Sequence, residues 1–378
     1  MGFTKSAGDV SMKIAASDRA RPPCFFAARN LFHRSHNVRI TVIADPLIPV
    51  PPLRYGGSER IVGALCRGLS AAGHSVRLLA GPGSRIDGEV VVYEAPGPSV
   101  ASASYHKVLF QTLSLWVSRD ADVVHCYSRA DYLVGLLALK MPLVYSFMNP
   151  ITPWDQAFFF RSDRGKLMLV SASDNHRRDQ PVSSRWHTVY PAIDIDRIPF
   201  QPARRGDYLA FLGRLTENKG AREAIAVAQR AGLPLKIAGN VSNEPGGVQY
   251  FEEEILPHLG GDIEWVGEIT DDQKGDFLGN ARALLFPIQW EEPFGIAVAE
   301  SFAAGTPVIA TRRGATSEQI VDGVTGFICD SVEEMVQATA RIDALDRRAC
   351  RETCQRRFSA PVMAQRYLDL YGRLLEQR

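Results

Sequence analysis

Clustered cysteine is missing from this chain. Six cysteines stand in 378 residues, at Cys24, Cys66, Cys126, Cys329, Cys350 and Cys354, with no Cys-x-x-Cys pair among them. In a chain of this length that spacing excludes a disulfide framework and a thiolate zinc site. Cys350 and Cys354 are one helical turn apart, which reads as helix packing and not as a redox pair. The histidines are dispersed too, and no His-Glu-x-x-His occurs. Long apolar runs are absent: the nearest, from Leu133 to Phe147, is broken by Lys140 and Pro142 and is too short to span a bilayer. Nor does one sign of charge dominate. The 43 Lys and Arg against 42 Asp and Glu give a net charge of +1, which argues against a nucleic-acid partner.

What is present is ordinary for a folded enzyme, with 46% hydrophobic and 22% charged residues. The length suggests two domains. Residues 1–36 carry six Lys and Arg against two Asp and Glu, without a signal peptide's apolar segment, and read as a loose basic extension. Order begins with the alternation Val38, Ile40, Val42, which marks a strand. A proline-rich loop from Pro46 to Pro52 and the turn Tyr55-Gly56-Gly57 follow. Next comes a helix with Ile61, Leu65 and Leu69 on one face, ended by Gly73. Strands are expected near 76–80, 90–93, 123–126, 143–147 and 167–171. A helix over 102–118 is expected to carry its apolar stripe at Tyr105, Leu109, Leu113 and Trp116.

The rhythm breaks at a proline- and arginine-rich stretch, then restarts. Strands are expected near 208–212, 235–238, 263–266, 283–286 and 307–310. Helices alternate with them near 221–231, 250–259, 272–280 and 295–304, and two more cover 332–345 and 360–377. The pattern is α/β, two parallel sheets in series facing across a cleft, with ligands expected at the strands' carboxyl ends. The domain boundaries are placed at 37–195, a linker at 196–207, 208–357, and a C-terminal helix at 358–378 that packs back on the first half.

Four loops would meet at that cleft. Gly56-Gly57-Ser58-Glu59 precedes a helix, where glycines let backbone N–H groups approach a phosphate; alone, it is also a turn with a cap. Gly213-Arg214 with Lys219-Gly220 lies in one strand-to-helix loop and sets a planar fork beside a mobile point charge, a pairing suited to a diphosphate. Glu292, Gly295, Ile296 and Glu300 surround a helix start, where carboxylates can accept from sugar hydroxyls and N–H groups can meet phosphate oxygens. A merely capped helix with acidic first turns explains the same residues. His125 stands at a strand end, as a candidate for proton transfer or as a satisfied core histidine. Two Asp-x-Asp pairs, Asp120/Asp122 and Asp194/Asp196, are read as decoys for a metal site. No Gly-x-Gly-x-x-Gly follows the first strand, so a nicotinamide fold fits poorly.

The stretches 51–80, 211–239 and 292–328 together resemble the retaining glycosyltransferases of family 4, the "group 1" class, over roughly residues 38–378. The Glu292-x7-Glu300 spacing followed by Gly305 to Ala310 is the most specific part. The resemblance implies the GT-B fold of two Rossmann-like domains. It also implies transfer of a hexose from a nucleotide diphosphate sugar, UDP-glucose-like, to a hydroxyl acceptor, without a metal and with no tightly bound cofactor.

Residue by residue, it implies that Gly57, beside Gly56, closes over the donor diphosphate and that Glu59 supports this loop. Arg214 and Lys219, next to Gly213, would hold the pyrophosphate. Glu292 would orient the sugar, Glu300 would bind the ribose, and Gly295 and Ile296 would supply amides. Glu318 would be the acid of a corner in which Ser317 replaces the usual proline. Tyr127 and Met148 stand where the family commonly has histidines, so the acceptor side departs from the pattern. A non-catalytic sugar-nucleotide binder, a sugar phosphorylase and an epimerase stay open as alternatives. The expected location is the cytoplasm, with weak peripheral contact at the inner membrane face, through cations such as Arg347, Arg348, Arg356 and Arg357, as a variant. The acceptor and the oligomeric state are not legible.

Overall fold

A computed structural model describes residues 37–52, 56–94, 100–161, 166–181 and 183–376. The basic extension, Cys24 and Tyr55 lie outside them. All described residues belong to one unit.

Seven strands form the first sheet: β1 (Arg39–Ile43), β2 (Ser75–Ala80), β3 (Glu89–Val92), β4 (Val123–Cys126), β5 (Leu143–Ser146), β6 (Leu167–Ser171) and β7 (Trp186–Thr188). Six form the second: β8 (Leu209–Leu212), β9 (Leu235–Ala238), β10 (Ile263–Gly267), β11 (Ala283–Phe286), β12 (Val308–Thr311) and β13 (Gly326–Cys329). Their orders are β3-β2-β1-β4-β5-β6-β7 and β10-β9-β8-β11-β12-β13. Every pairing is parallel, with Ile40 opposite both Val76 and Val123 in the first sheet. The order reverses beside β1 and again beside β8, and crevices for ligands form at such switch points. Helices cover the sheets on both faces, which is why β4, β5, β6 and β11 read as continuous apolar runs and are buried throughout.

The helix Gly57–Ala71 buries Ile61, Leu65 and Leu69 against the first sheet. The last helix, Ala360–Glu376, returns to the same core with Met363, Tyr367, Leu370, Tyr371 and Leu374. Gly68 allows this close approach, since a Cβ there would lie 2.7 Å from the Ala360 carbonyl oxygen. The chain crosses between the halves twice, side by side, where the Ile193 amide donates to the Phe358 carbonyl at 3.0 Å.

Several expectations need correction. In the helix Val100–Ser118 the expected core stripe faces outward: Tyr105 and Trp116 are exposed, while Phe110, Ser114 and Val117 are buried. The helix is apolar on more than one face, and the buried Ser114 hydroxyl is satisfied within the helix by the Phe110 carbonyl at 2.7 Å. β7 and β13 were not anticipated, because three half-buried residues and a glycine-led tetrad give little alternation. The segment expected as a helix near 250–259 is instead a helical turn at Gly247–Tyr250, a wider turn at Phe251–Ile255 and a tight one at Leu256–His258.

Candidate active site

A cavity of about 290 Å³ lies at the carboxyl ends of both sheets' strands. It brings together Gly56, Gly57, Gly213, Arg214, Lys219, Glu292, Gly295, Ile296 and Glu300. Two glycine-led helix starts face each other there. Gly56 precedes the helix Gly57–Ala71 with φ of 144°, and Gly295 precedes the helix Ile296–Ala304 with φ of 87°. A Cβ on Gly57 would lie 3.1 Å from Ile296 Cδ1, so the two starts are in near contact across the cleft.

Lys219 follows β8 in a tight turn closed by Gly220, whose φ of 77° only glycine takes at low cost. Its ammonium ion-pairs with Glu292, which also accepts from the Trp290 indole N–H at 2.8 Å. Lys219 Nζ stands 5.1 Å from the centre of the Trp290 ring. Glu292 is only 9% exposed, so its charge is met by these partners and not by water. Arg214 extends from the same loop and reaches Glu244 Oε1 at 2.6 Å.

Glu300, 5% exposed on the helix Ile296–Ala304, accepts from Lys274 Nζ at 2.6 Å. Lys274 also pairs with Asp271 at 3.0 Å, and Asp271 accepts from Arg60 Nε of the first half at 3.0 Å. Burial alone would raise the Asp271 carboxyl, but Lys274 and Arg60 outweigh it and hold it below its ordinary value. A charge relay thus runs from the first glycine loop to Glu300. Sequence reasoning missed Lys274, Asp271 and Arg60. The available signal was a lysine on the apolar face of the helix Asp271–Gly279, one turn from Phe277 and Leu278.

His125 is corrected. It is 0% exposed, does not line the cavity, and has both ring nitrogens engaged, with Tyr371 at 2.6 Å and Ser146 at 2.7 Å. Burial lowers its pKa to about 3, so it stays neutral in the core. Met148 does line the cavity. Glu59 is buried beside it, its pKa raised by desolvation.

Glu318 bridges the halves by accepting from the Asp174 and Asn175 amides at 2.8 and 2.6 Å and from the Tyr190 hydroxyl at 3.0 Å. The Asp-x-Asp pairs are held by arginines: Arg77 on Asp120, Arg39 on Asp122, and Arg67 and Arg197 on Asp194. No group of three metal-ligating side chains occurs among the described residues. Cys350 and Cys354 point at carbonyl oxygens of Thr325 and Ala299.

Two family models match end to end: "Glycosyltransferase Family 4" over residues 55–197 and "Glycosyl transferases group 1" over 194–357. The chain belongs to this glycosyltransferase family. The enzyme has the GT-B fold, takes a nucleotide diphosphate sugar as donor, and acts on a hydroxyl acceptor.

The enzyme is 24% identical to a phosphatidyl-myo-inositol mannosyltransferase of Mycobacterium leprae, over 88% of this chain and 96% of the relative. It is 25% identical to a glycogen synthase of Mycobacterium tuberculosis, over 74% of this chain and 80% of the relative. Among solved structures it resembles AviGT4, a glycosyltransferase involved in avilamycin A biosynthesis, at 26% identity and a TM-score of 0.69, covering 90% of this chain and 99% of that one. The Anabaena protein HepE, solved with UDP-glucose, shares the fold at 14% identity and a TM-score of 0.69, covering 89% of this chain and all of that one.

Proposed function

We propose that the enzyme transfers a hexose from a UDP-glucose-like donor with retention of anomeric configuration. The observation that carries this reading is the joining of Lys219, Glu292 and Trp290 in one cavity with Arg214 and two opposed helix starts.

As the bond from the anomeric carbon to the leaving diphosphate lengthens, negative charge gathers on the phosphate oxygens. Arg214, Lys219 and the amides at Gly57 and Ile296 would meet that charge more strongly than they meet the intact donor. To do so Arg214 exchanges Glu244 for phosphate, and Lys219 is released from Glu292, which then accepts from donor-sugar hydroxyls. Glu300, held by Lys274, would accept from the ribose.

The acceptor oxygen bonds to the anomeric carbon on the face the diphosphate leaves, and its proton departs on a diphosphate oxygen. This front-face route needs no imidazole base, in keeping with a core-bound His125 and with Met148 on the cavity wall. The cross-cleft contacts of Arg60 and Glu318 favour a closed form that keeps water from the donor. In this reading the halves divide at the 196–207 linker.

The reading places the enzyme in the cytoplasm. No helix among the described residues is long and apolar enough to cross a membrane. Weak membrane contact would rest on Arg348 and Arg356, since Arg347 and Arg357 donate inward to backbone carbonyls. Incubation with UDP-glucose and a mixed acceptor extract, with products identified by mass and anomeric configuration by NMR, tests the reading. An inverted product, or none with any nucleotide sugar, would refute it.

A further inference from the structure

Beside the donor cavity lies a second one of about 540 Å³, at the carboxyl ends of β1, β4 and β5. Ser58, Met148 and Asn149 line both, so a group bound in the second cavity borders the donor. Its described lining comes entirely from the first half and is largely polar.

Three features describe what it would hold. Ser128, two residues beyond β4, is 3% exposed, and its hydroxyl has no hydrogen-bond partner among the described residues. A buried hydroxyl in a cavity wall without a partner is a position where a ligand's polar group would be welcome. Trp154 at the rim is 55% exposed, with its ring held parallel to Phe158 at 5.1 Å between centroids. An exposed, fixed indole is a platform for the C–H face of a sugar or cyclitol ring.

The third feature is charge. Among the described residues the walls carry Asp45, Glu59, Asp131 and Asp155 against a single cation, Arg129. Arg129 stands 3.7 Å from Asp45, and Lys107 pairs with Asp131. Glu59 and Asp155 have no ion-pair partner among the described residues, and Asp155 accepts only from the Thr152 amide and hydroxyl. Carboxylates accept from hydroxyl and ammonium groups and repel a phosphate.

We infer that the acceptor which the glycosyltransferase reading puts in this cavity is a neutral or amino-bearing polyhydroxylated ring, and that the cavity discriminates against phosphorylated ones. The inference rests on the glycosyltransferase reading for its place in the reaction, but its binding chemistry is independent of turnover.

The test is saturation-transfer NMR on the full chain with methyl β-D-glucopyranoside, D-glucosamine and D-glucose 6-phosphate, in wild type, Trp154→Ala and Asp155→Asn. Glucosamine and the glucoside are expected to bind about 10-fold more tightly than the phosphate. Trp154→Ala should weaken the first two, and Asp155→Asn should narrow the gap to the phosphate. Equal or preferred binding of glucose 6-phosphate would overturn the inference. So would binding of none of the three, or binding indifferent to Trp154. UDP-glucose binding to the same samples reports on the donor reading separately. Sugar binding without UDP-glucose binding would support the acceptor inference while counting against the donor assignment.

Discussion

Nδ1 of His125, in β4, lies 2.6 Å from the phenol oxygen of Tyr371, on the last helix and 246 residues later in the chain. Nε2 meets Ser146 at 2.7 Å, and Ser146 meets Tyr367 at 2.8 Å, so a buried polar chain ties two strands of the first sheet to the C-terminal helix. A neutral imidazole satisfies it, donating from one nitrogen and accepting at the other. Because burial holds the folded pKa at about 3, the unfolded chain binds a proton that the folded one refuses as pH falls from the ordinary histidine value of 6.5. His74, His176 and His187 are lowered by burial in the same direction. Stability from His125 is therefore full above pH 6.5 and falls toward pH 3, with a limiting slope of about 1.4 kcal/mol per pH unit. Urea unfolding at pH 7, 6 and 5 should show the decline, and the His125 ring signal should not titrate across that range. A His125 midpoint near 6.5 in the folded enzyme would contradict this.

Lys219→Ala should cost kcat/KM the equivalent of about 2–4 kcal/mol, as loss of one preorganised donor does. Glu292→Gln should reduce turnover far more than it reduces affinity for free UDP, which lacks the transferred sugar. Steady-state kinetics and calorimetry with UDP check the division, and near-wild-type rates in Lys219→Ala would end the assigned role.

Gly314 lines neither the donor cavity nor the one beside it, yet it packs directly on the Glu292 backbone. Its φ is 57°, and a Cβ there would lie 2.3 Å from both the amide nitrogen and the carbonyl oxygen of Glu292. Gly314→Ala must displace that backbone, so kcat should drop about 10-fold or more while UDP affinity changes little. Unchanged kcat would show that the Glu292 loop does not need this position.

Lys274 is expected to orient Glu300. Lys274→Met leaves the buried Glu300 without its cation and Asp271 with Arg60 alone, which should destabilise the fold by about 3–5 kcal/mol. It should also weaken UDP binding. Lys274→Arg, which restores the charge, should recover stability in thermal unfolding more than it recovers affinity, because a guanidinium has a different reach. UDP affinity unchanged in Lys274→Met would separate Glu300 from the nucleotide.

Much of the architecture was legible because its causes are local. Val38 to Val42 alternate, Ile61, Leu65 and Leu69 recur at helical spacing, and Gly56, Gly220 and Gly295 mark turns where side chains are disfavoured. These patterns, with the restart after the proline-rich stretch, led to two parallel sheets and to the loops at their carboxyl ends. The outward face of Tyr105 and Trp116 was not legible, since a helix with apolar residues on two faces does not say which one packs.

The sequence by itself determined where most strands, helices and tight turns fall, because backbone geometry and hydrophobic period act over a few residues. Only the tertiary structure decided that His125 belongs to the core, that Lys274 meets Glu300, and that Arg60 joins them from the other half. Those choices depend on which distant charges and hydroxyls lose water together, and spacing along a chain does not record that.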